Sequence, residues 1–328
     1  MTTRRATLQA LGAAALAAGA PWPARAQAAW PPAKGIRFVV PFVPGGTSDI
    51  VGRAVATELT SQLGVPVVVD NKAGGGGVPA MQDVARSPAD GSTVILGHVG
   101  SLAVNPLIFK DTGYDVNRDF APVTLLVKVP SLFVVHRDVP VQDFKSFIAY
   151  AKARPGQLNY GSAGNASAGH LAMECLKLAT GTFMTHIPYR GTGPALTDLL
   201  AGRLQVFSAG TPALLQHIRS GALRCIATGT RQRVPVLPDV PTVAEMGYPD
   251  FETVQWYGML AHARTPPEIL ERLQRECFKA LRMPAVAERF AAESAVVDGG
   301  PGTQFAAFIA KEQARWKDVV VRGKIRPD

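Results

Sequence analysis

The residues placed to do chemistry in this chain are small and mostly uncharged, and they recur at one kind of junction. Gly45-Gly46-Thr47-Ser48-Asp49 follows Ile36, Phe38, Val39 and Val40, and precedes Ile50, Val51, Ala54, Val55 and Leu59 at helical spacing. The first run predicts a short buried strand, which Pro41 stops because it has no N–H for a ladder. Thr47, Ser48 and Asp49 are good helix N-caps for the pattern that follows. A strand ending in a glycine turn at a helix N-terminus aims backbone N–H groups into a crevice. With the helix dipole behind them, those donors suit an anion. An ordinary capped strand-to-helix turn fits the same residues on this stretch alone.

The arrangement returns twice. Leu158, Asn159 and Tyr160 read as strand, and Gly161, Ser162, Ala163, Gly164, Asn165, Ala166 and Ser167 as a second small-residue loop. His170 heads the next helix, where it either bonds a ligand or holds the loop in place. Residues 186–194, including Tyr189, Thr192 and Gly193, feed a helix over 195–200 in the same way. Such loops offer N–H and hydroxyl donors without a formal positive charge, and two or three of them compensate a carboxylate well. Water fills gaps in a roomy polar site at modest cost.

Frames for catalysis are missing from the sequence. There is no H-E-x-x-H, and His98, His136, His170, His186, His217 and His262 lack ligand-like spacing, so no metal is expected. Neither a G-x-S-x-G elbow nor a G-x-G-x-x-G at a helix start occurs, so no cofactor is expected either. The four glycines at 74–77 are not a phosphate-binding loop, because no Gly-Lys-Ser/Thr follows. They either let the backbone approach another element or a ligand closely, or form a flexible connection.

The elements that must position these loops alternate. Strands are expected at 65–69, 93–96, 158–160, 204–207 and 225–228, with helices between them, which argues for a mostly parallel α/β sheet. A ligand crevice then lies at the carboxyl ends of the strands. Residues 123–129 and 131–135 read as two extended stretches separated by Pro130, and 251–259 as another strand. These are the candidate crossovers between two domains, 29–127 with 254–328 and 128–253. Helices over 267–281 and 305–321 close the chain. Two domains joined by crossing strands can shut on a ligand by a hinge.

At 328 residues, with 47% hydrophobic and 18% charged residues, the chain can build two packed domains. Residues 1–28 read as a removable signal peptide: Arg4-Arg5, an Ala/Leu/Gly run over 10–20, and Ala26-Gln27-Ala28 as the cleavage site. The frame Thr3-Arg4-Arg5 fits twin-arginine export, and a general secretory signal with two arginines fits as well. Losing Arg4, Arg5 and Arg25 takes the formal charge from +9 to +6. That excess is spread along the chain without interleaved aromatics, so nucleic acid is not an expected partner. The three cysteines, Cys175, Cys225 and Cys277, are far apart. They read as small buried hydrophobes, with a Cys175–Cys225 bridge left open by the oxidising compartment.

The chain resembles the Bug family, the extracytoplasmic solute receptors of tripartite tricarboxylate transporters. The matching residues are 41–49, Pro88-Ala-Asp-Gly91, Asn105-Pro106, 119–124, 160–164 through His170-Leu171, 188–200, 240–247 and Trp256-Tyr-Gly258, in family order from about residue 35 onward. The resemblance implies a two-lobed periplasmic-binding-protein fold (Venus flytrap, type II) with crossing hinge strands. It implies a small carboxylate or related polar ligand in the cleft, gripped through Gly45, Gly46, Thr47, Ser48 and Asp49 and through residues 162–167, partly by water. Ser101 and residues 189–193 would line the rest. It further implies a periplasmic monomer that hands its ligand to membrane permease subunits. The alternative is an exported α/β enzyme acting on a small organic acid. Two departures stand out: Ala166, where family members often carry Gly, and residues 204–210, where many carry acids. A pocket without an acid there is expected to prefer a plain carboxylate to an amino acid.

Overall fold

Near-continuous apolar runs, buried on both faces of the sheet, make the strands. The computed structural model describes residues 30–326, so the signal-peptide reading of 1–28 lies outside the described residues. Strand β1 (Ile36–Val40) buries Phe38 and Val40 on one face and Val39 on the other. It is followed by α1 (Thr47–Leu63), β2 (Val67–Asn71), α2 (Val78–Ala85) and β3 (Thr93–His98). Two one-turn helices, α3 (Asn105–Ile108) and α4 (Val116–Asp119), lead into the long strand β4 (Phe120–His136). Next come α5 (Phe144–Lys152), β5 (Asn159–Ser162), α6 (Ala168–Thr180) and β6 (Thr185–Pro188). Then follow α7 (Thr192–Leu200), β7 (Val206–Gly210), α8 (Thr211–Arg219) and β8 (Leu223–Thr228). The chain returns through β9 (Val254–His262) and ends with α9 (Pro267–Arg282), α10 (Pro284–Ala292), β10 (Val296–Val297) and α11 (Gly302–Gly323).

The strands form one path in the order β2-β1-β3-β9-β4-β7-β5-β6, with β8 and β10 also pairing β4. Pairing is parallel among β2, β1 and β3 and among β7, β5 and β6, and antiparallel around β4 and β9. The sequence reads two stretches broken at Pro130; the structure has one strand of 17 residues. Pro130 is the last residue of β4 to face β9, opposite Val254, and Ser131 is the first to face β7, opposite Gly210. The missing proline N–H therefore falls where the strand changes partners, the place a ladder best tolerates it. The return crossing lies beside it: Gly229 N donates to Ser131 O at 2.8 Å and Thr253 N to Gly229 O at 2.7 Å. A Cβ on Gly229 would meet Thr253 Oγ1 at 2.2 Å, so the two crossings can lie this close only with glycine there.

Each sheet half is covered on both faces, giving four apolar clusters. Phe38, Leu59, Leu273 and Phe290 pack on one face of the first half, and Met81, Leu102, Trp256 and Phe305 on the other. Phe133, Phe147 and Leu176 cover one face of the second half, and Leu132, Leu199 and Leu214 the other. Each such side chain contributes about 1.5–3 kcal/mol on burial, which makes each half a packed unit with the site left between them. Helix α10 and strand β10 were not expected from sequence. The three cysteines are free thiols, so Cys175 and Cys225 are not bridged. Among the described residues no helix is long and apolar enough to cross a membrane.

Candidate functional site

Both sheet halves wall a small cavity of ≈ 20 Å³, room for about one water molecule. Thr47, Ser48, His98, Gln255 and Tyr257 come from the first half; Ala163, Ser167, Ala168, Gly169, Thr192 and Ser208 come from the second. Phe42 and Ala163 also border a larger, more open hollow of ≈ 500 Å³, whose walls include Gly74, Gly75, Gly76, Gly77, Gly164, Tyr189 and Arg190. All four glycines at 74–77 have positive φ. A Cβ on Gly76 would sit 3.2 Å from Asn165 O of the facing loop, so the glycine run serves close approach.

Three helices start at the inner cavity. The sequence expects a side-chain cap at Thr47, Ser48 or Asp49. The structure makes Gly46 the N-cap, with no side-chain cap hydrogen bond, and Thr47 the first helical residue. The first backbone bond of α1 runs from Ile50 N to Gly46 O at 3.0 Å, so the N–H groups of 47–49 have no carbonyl within the helix. Helix α6 is capped by Ser167, whose Oγ accepts from His170 N at 3.4 Å, and its first residues Ala168 and Gly169 line the cavity. A Cβ on Gly169 would meet Ser208 O at 2.2 Å, so glycine lets this helix start lie against β7. Helix α7 begins with Thr192. Helix N-termini carry partial positive charge and favour anions.

Several residues singled out from sequence make hydrogen bonds within the loops. The Asp49 carboxylate accepts from Gly45 N at 3.0 Å, from Arg53 Nε at 3.0 Å and from Asn71 Nδ2 at 2.9 Å. Burial alone would raise its pKa, but these bonds, Arg53 first, hold it below the usual carboxylate range. Ser101 Oγ bonds the backbone of His98 at 3.2 Å and lines neither hollow. Ser162 Oγ lies 2.6 Å from His186 Nε2, is fully buried, and also lines neither. His170 Nδ1 accepts from Ala166 N at 3.1 Å, with its ring stacked 4.1 Å from His186. Of its two readings, the geometry supports holding the loop. Ala166 keeps a left-handed turn at φ 57°, where glycine would be relaxed. Tyr189 borders the outer hollow and donates its hydroxyl to Asp198 at 2.7 Å. Gly46 touches the second half directly, since a Cβ there would sit 3.0 Å from Thr192 Oγ1; Gly193 approaches Pro44 O.

The inner lining contains no Lys, Arg, Asp or Glu. Burial keeps both of its titratable rings neutral, lowering the His98 pKa to about 3 and raising that of the Tyr257 hydroxyl. Thr47 Oγ1, His98 Nε2 and Ser208 Oγ are buried there without a hydrogen-bond partner. Sequence reasoning missed His98, Ser208, Gln255 and Tyr257 as lining residues. In the sequence His98 lacks metal-ligand spacing and sits in the small polar stretch 97–101 closing a strand, and the other three arrive on strands whose partners lie far away in sequence. Among the described residues no cluster of His, Cys, Asp or Glu could hold a metal ion.

Two sheet halves joined by crossing strands, with a polar hollow between them, define a two-lobed solute-binding receptor of the periplasmic-binding-protein class. Solved structures agree. An R. palustris protein with adipate superposes with TM-score 0.88 at 36% identity, covering 92% of this chain and all of its own. MatC from Rhodopseudomonas palustris with bound malate gives TM-score 0.84 at 32% identity, with 88% and 99% covered. BugT of Bordetella pertussis is 40% identical over 290 residues, 88% of this chain and 89% of BugT. The model of the tripartite tricarboxylate transporter family receptor matches residues 51–324, and the chain belongs to that family.

Proposed function

We propose that this receptor captures a small carboxylate between its lobes in the periplasm and hands it unchanged to membrane permease subunits. The observation that carries this reading is that the starts of α1, α6 and α7 meet at one inner hollow containing no charged side chain, which would take the carboxyl group while the rest of the acid lies in the adjoining hollow of ≈ 500 Å³. Neutral donors backed by helix dipoles compensate a carboxylate while keeping its release easy. The adipate and malate of the related structures are ligands of that chemistry. The lobes are 29–127 with 254–328 and 128–253, supported by the change of strand partner at Pro130. Thr47, Ser48, Ser167 and Thr192 contact the ligand; Gly45, Gly46, Gly164, Asn165 and Gly193 shape the walls; Asp49, Ser162, Ala166 and His170 hold the loops. The protein acts as a monomer after cleavage near Ala28.

Absence of an acid in the inner lining favours a plain acid over an amino acid, whose ammonium would lack a counter-charge. The enzyme alternative would draw on the Ser162–His186 pair, but Ser162 Oγ also accepts from Gly164 N at 3.0 Å and has no opening to either hollow. Calorimetric titration with mono-, di- and tricarboxylates, glutamate and aspartate tests the proposal. It expects saturable binding of a plain acid recovered chemically unchanged. Preference for glutamate or aspartate, or turnover of the acid, overturns it.

A further inference from the structure

One atom in the inner cavity is a donor whose direction is fixed. Of the three polar atoms buried there without a partner, Thr47 Oγ1 and Ser208 Oγ are hydroxyls that rotate to donate or accept. His98 Nε2 cannot. Gly100 N donates to His98 Nδ1 at 3.0 Å, and a backbone N–H only donates, so Nδ1 carries no proton. The neutral ring therefore bears its hydrogen on Nε2. The ring is 1% exposed and packs against Phe42 with centroids 4.8 Å apart. Gly77 lies beside Nε2, where an added Cβ would come into van der Waals contact with it at 3.7 Å.

We propose that His98 is a specificity-determining residue: its Nε2–H donates to a carboxylate oxygen of the bound acid, as a fixed uncharged donor beside the start of α1. This rests on the carboxylate reading of the cavity. It adds that a ligand must present a hydrogen-bond acceptor at this point, because an N–H there cannot pair with an ammonium. Thr47 and Ser208 then turn their hydroxyls to whatever the ligand offers next to it.

The test uses the mature protein, malate and adipate as probes, and the variants His98→Phe and His98→Gln. The first keeps a ring and deletes the donor; the second keeps a donor without the ring. The wild type is expected to bind at least one acid, His98→Phe to lose roughly 10- to 100-fold in affinity, and His98→Gln to recover part of that loss. Melting of ligand-free His98→Phe is expected at or somewhat below the wild-type temperature, because removing one unpaired buried donor is offset by leaving Gly100 N without its acceptor. Should wild type bind while His98→Phe binds equally well, the role of His98 is wrong and the carboxylate reading stands. Should wild type bind no acid, both fall. Proton–nitrogen correlation spectra of histidine-labelled wild type supply a readout that needs no variant. They should show a hydrogen on Nε2 of His98 that shifts downfield on adding the acid; a hydrogen on Nδ1 refutes the proposal.

Discussion

If the ligand is held by closure of two lobes, a side chain that wedges only the closed form should cost affinity without unfolding the protein. Gly46 is suited to this test. It belongs to the β1–α1 loop, and the atoms a Cβ there would meet are Thr192 Oγ1 at 3.0 Å and Thr192 Cβ at 3.2 Å, on the facing lobe. Its backbone, φ −88° and ψ 171°, is comfortable for valine. Gly46→Val therefore adds two further carbons against Thr192 without backbone strain. Overpacking of this kind costs about 1–3 kcal/mol. Charged to the closed form alone, at about 1.4 kcal/mol per tenfold, it raises Kd roughly 5- to 150-fold. Losing glycine at the cap of α1 costs some stability as well, but equally in open and closed forms, so it appears in the melt of ligand-free protein and not in Kd. Calorimetry with an acid that wild type binds, paired with ligand-free melting, separates the two. An unchanged Kd, or a fall in melting temperature large enough to account for the lost affinity, refutes closure at this contact.

Other expectations follow from the same geometry. His98, His170 and His186 are each lowered to about 3 by burial. Between that value and the unfolded value of about 6.5 the unfolded chain binds more protons, so their contribution is complete above about 6.5 and lost as pH falls toward 3. Melting temperature should drop on acidification through that window, and less steeply in His98→Phe. Asp49→Ala removes the acceptor of Gly45 N, Arg53 and Asn71 and should cost roughly 1.5–3 kcal/mol in urea unfolding, with weaker acid binding because the first loop loosens. The thiols of Cys175, Cys225 and Cys277 are pushed up to about 12 by burial, so native protein should resist a thiol reagent that labels three cysteines after denaturation.

Much of the first lobe was legible because local signals agree there. The β-branched run before Pro41, the glycine pair and the helical spacing after Asp49 all point to one strand–turn–helix unit, and β1 and α1 fall where they indicate. The amphipathic spacing of Ile269, Leu273, Cys277 and Leu281 likewise gives α9, whose buried face contains all four. Strand β4 was harder, because Pro130 is a stop signal locally and only the change of partner from β9 to β7 makes it tolerable. The site was legible as loops and obscure as side chains. Whether a Ser, Thr, Asp or His faces a ligand or its own loop depends on partners such as Asn71 and His186, which sequence spacing does not bring together. His98 is the clearest case: its chemistry is set by a backbone N–H two residues on and by Phe42 from another strand's end.

The most direct measurement is a crystal structure of the mature protein grown with the acid that calorimetry selects. The carboxyl group is expected between the lobes, its oxygens within hydrogen-bond distance of the N–H groups that open α1 and α6. Density for that acid on an outer surface, with the hollow between Ser48 and Gly169 unchanged, would contradict it.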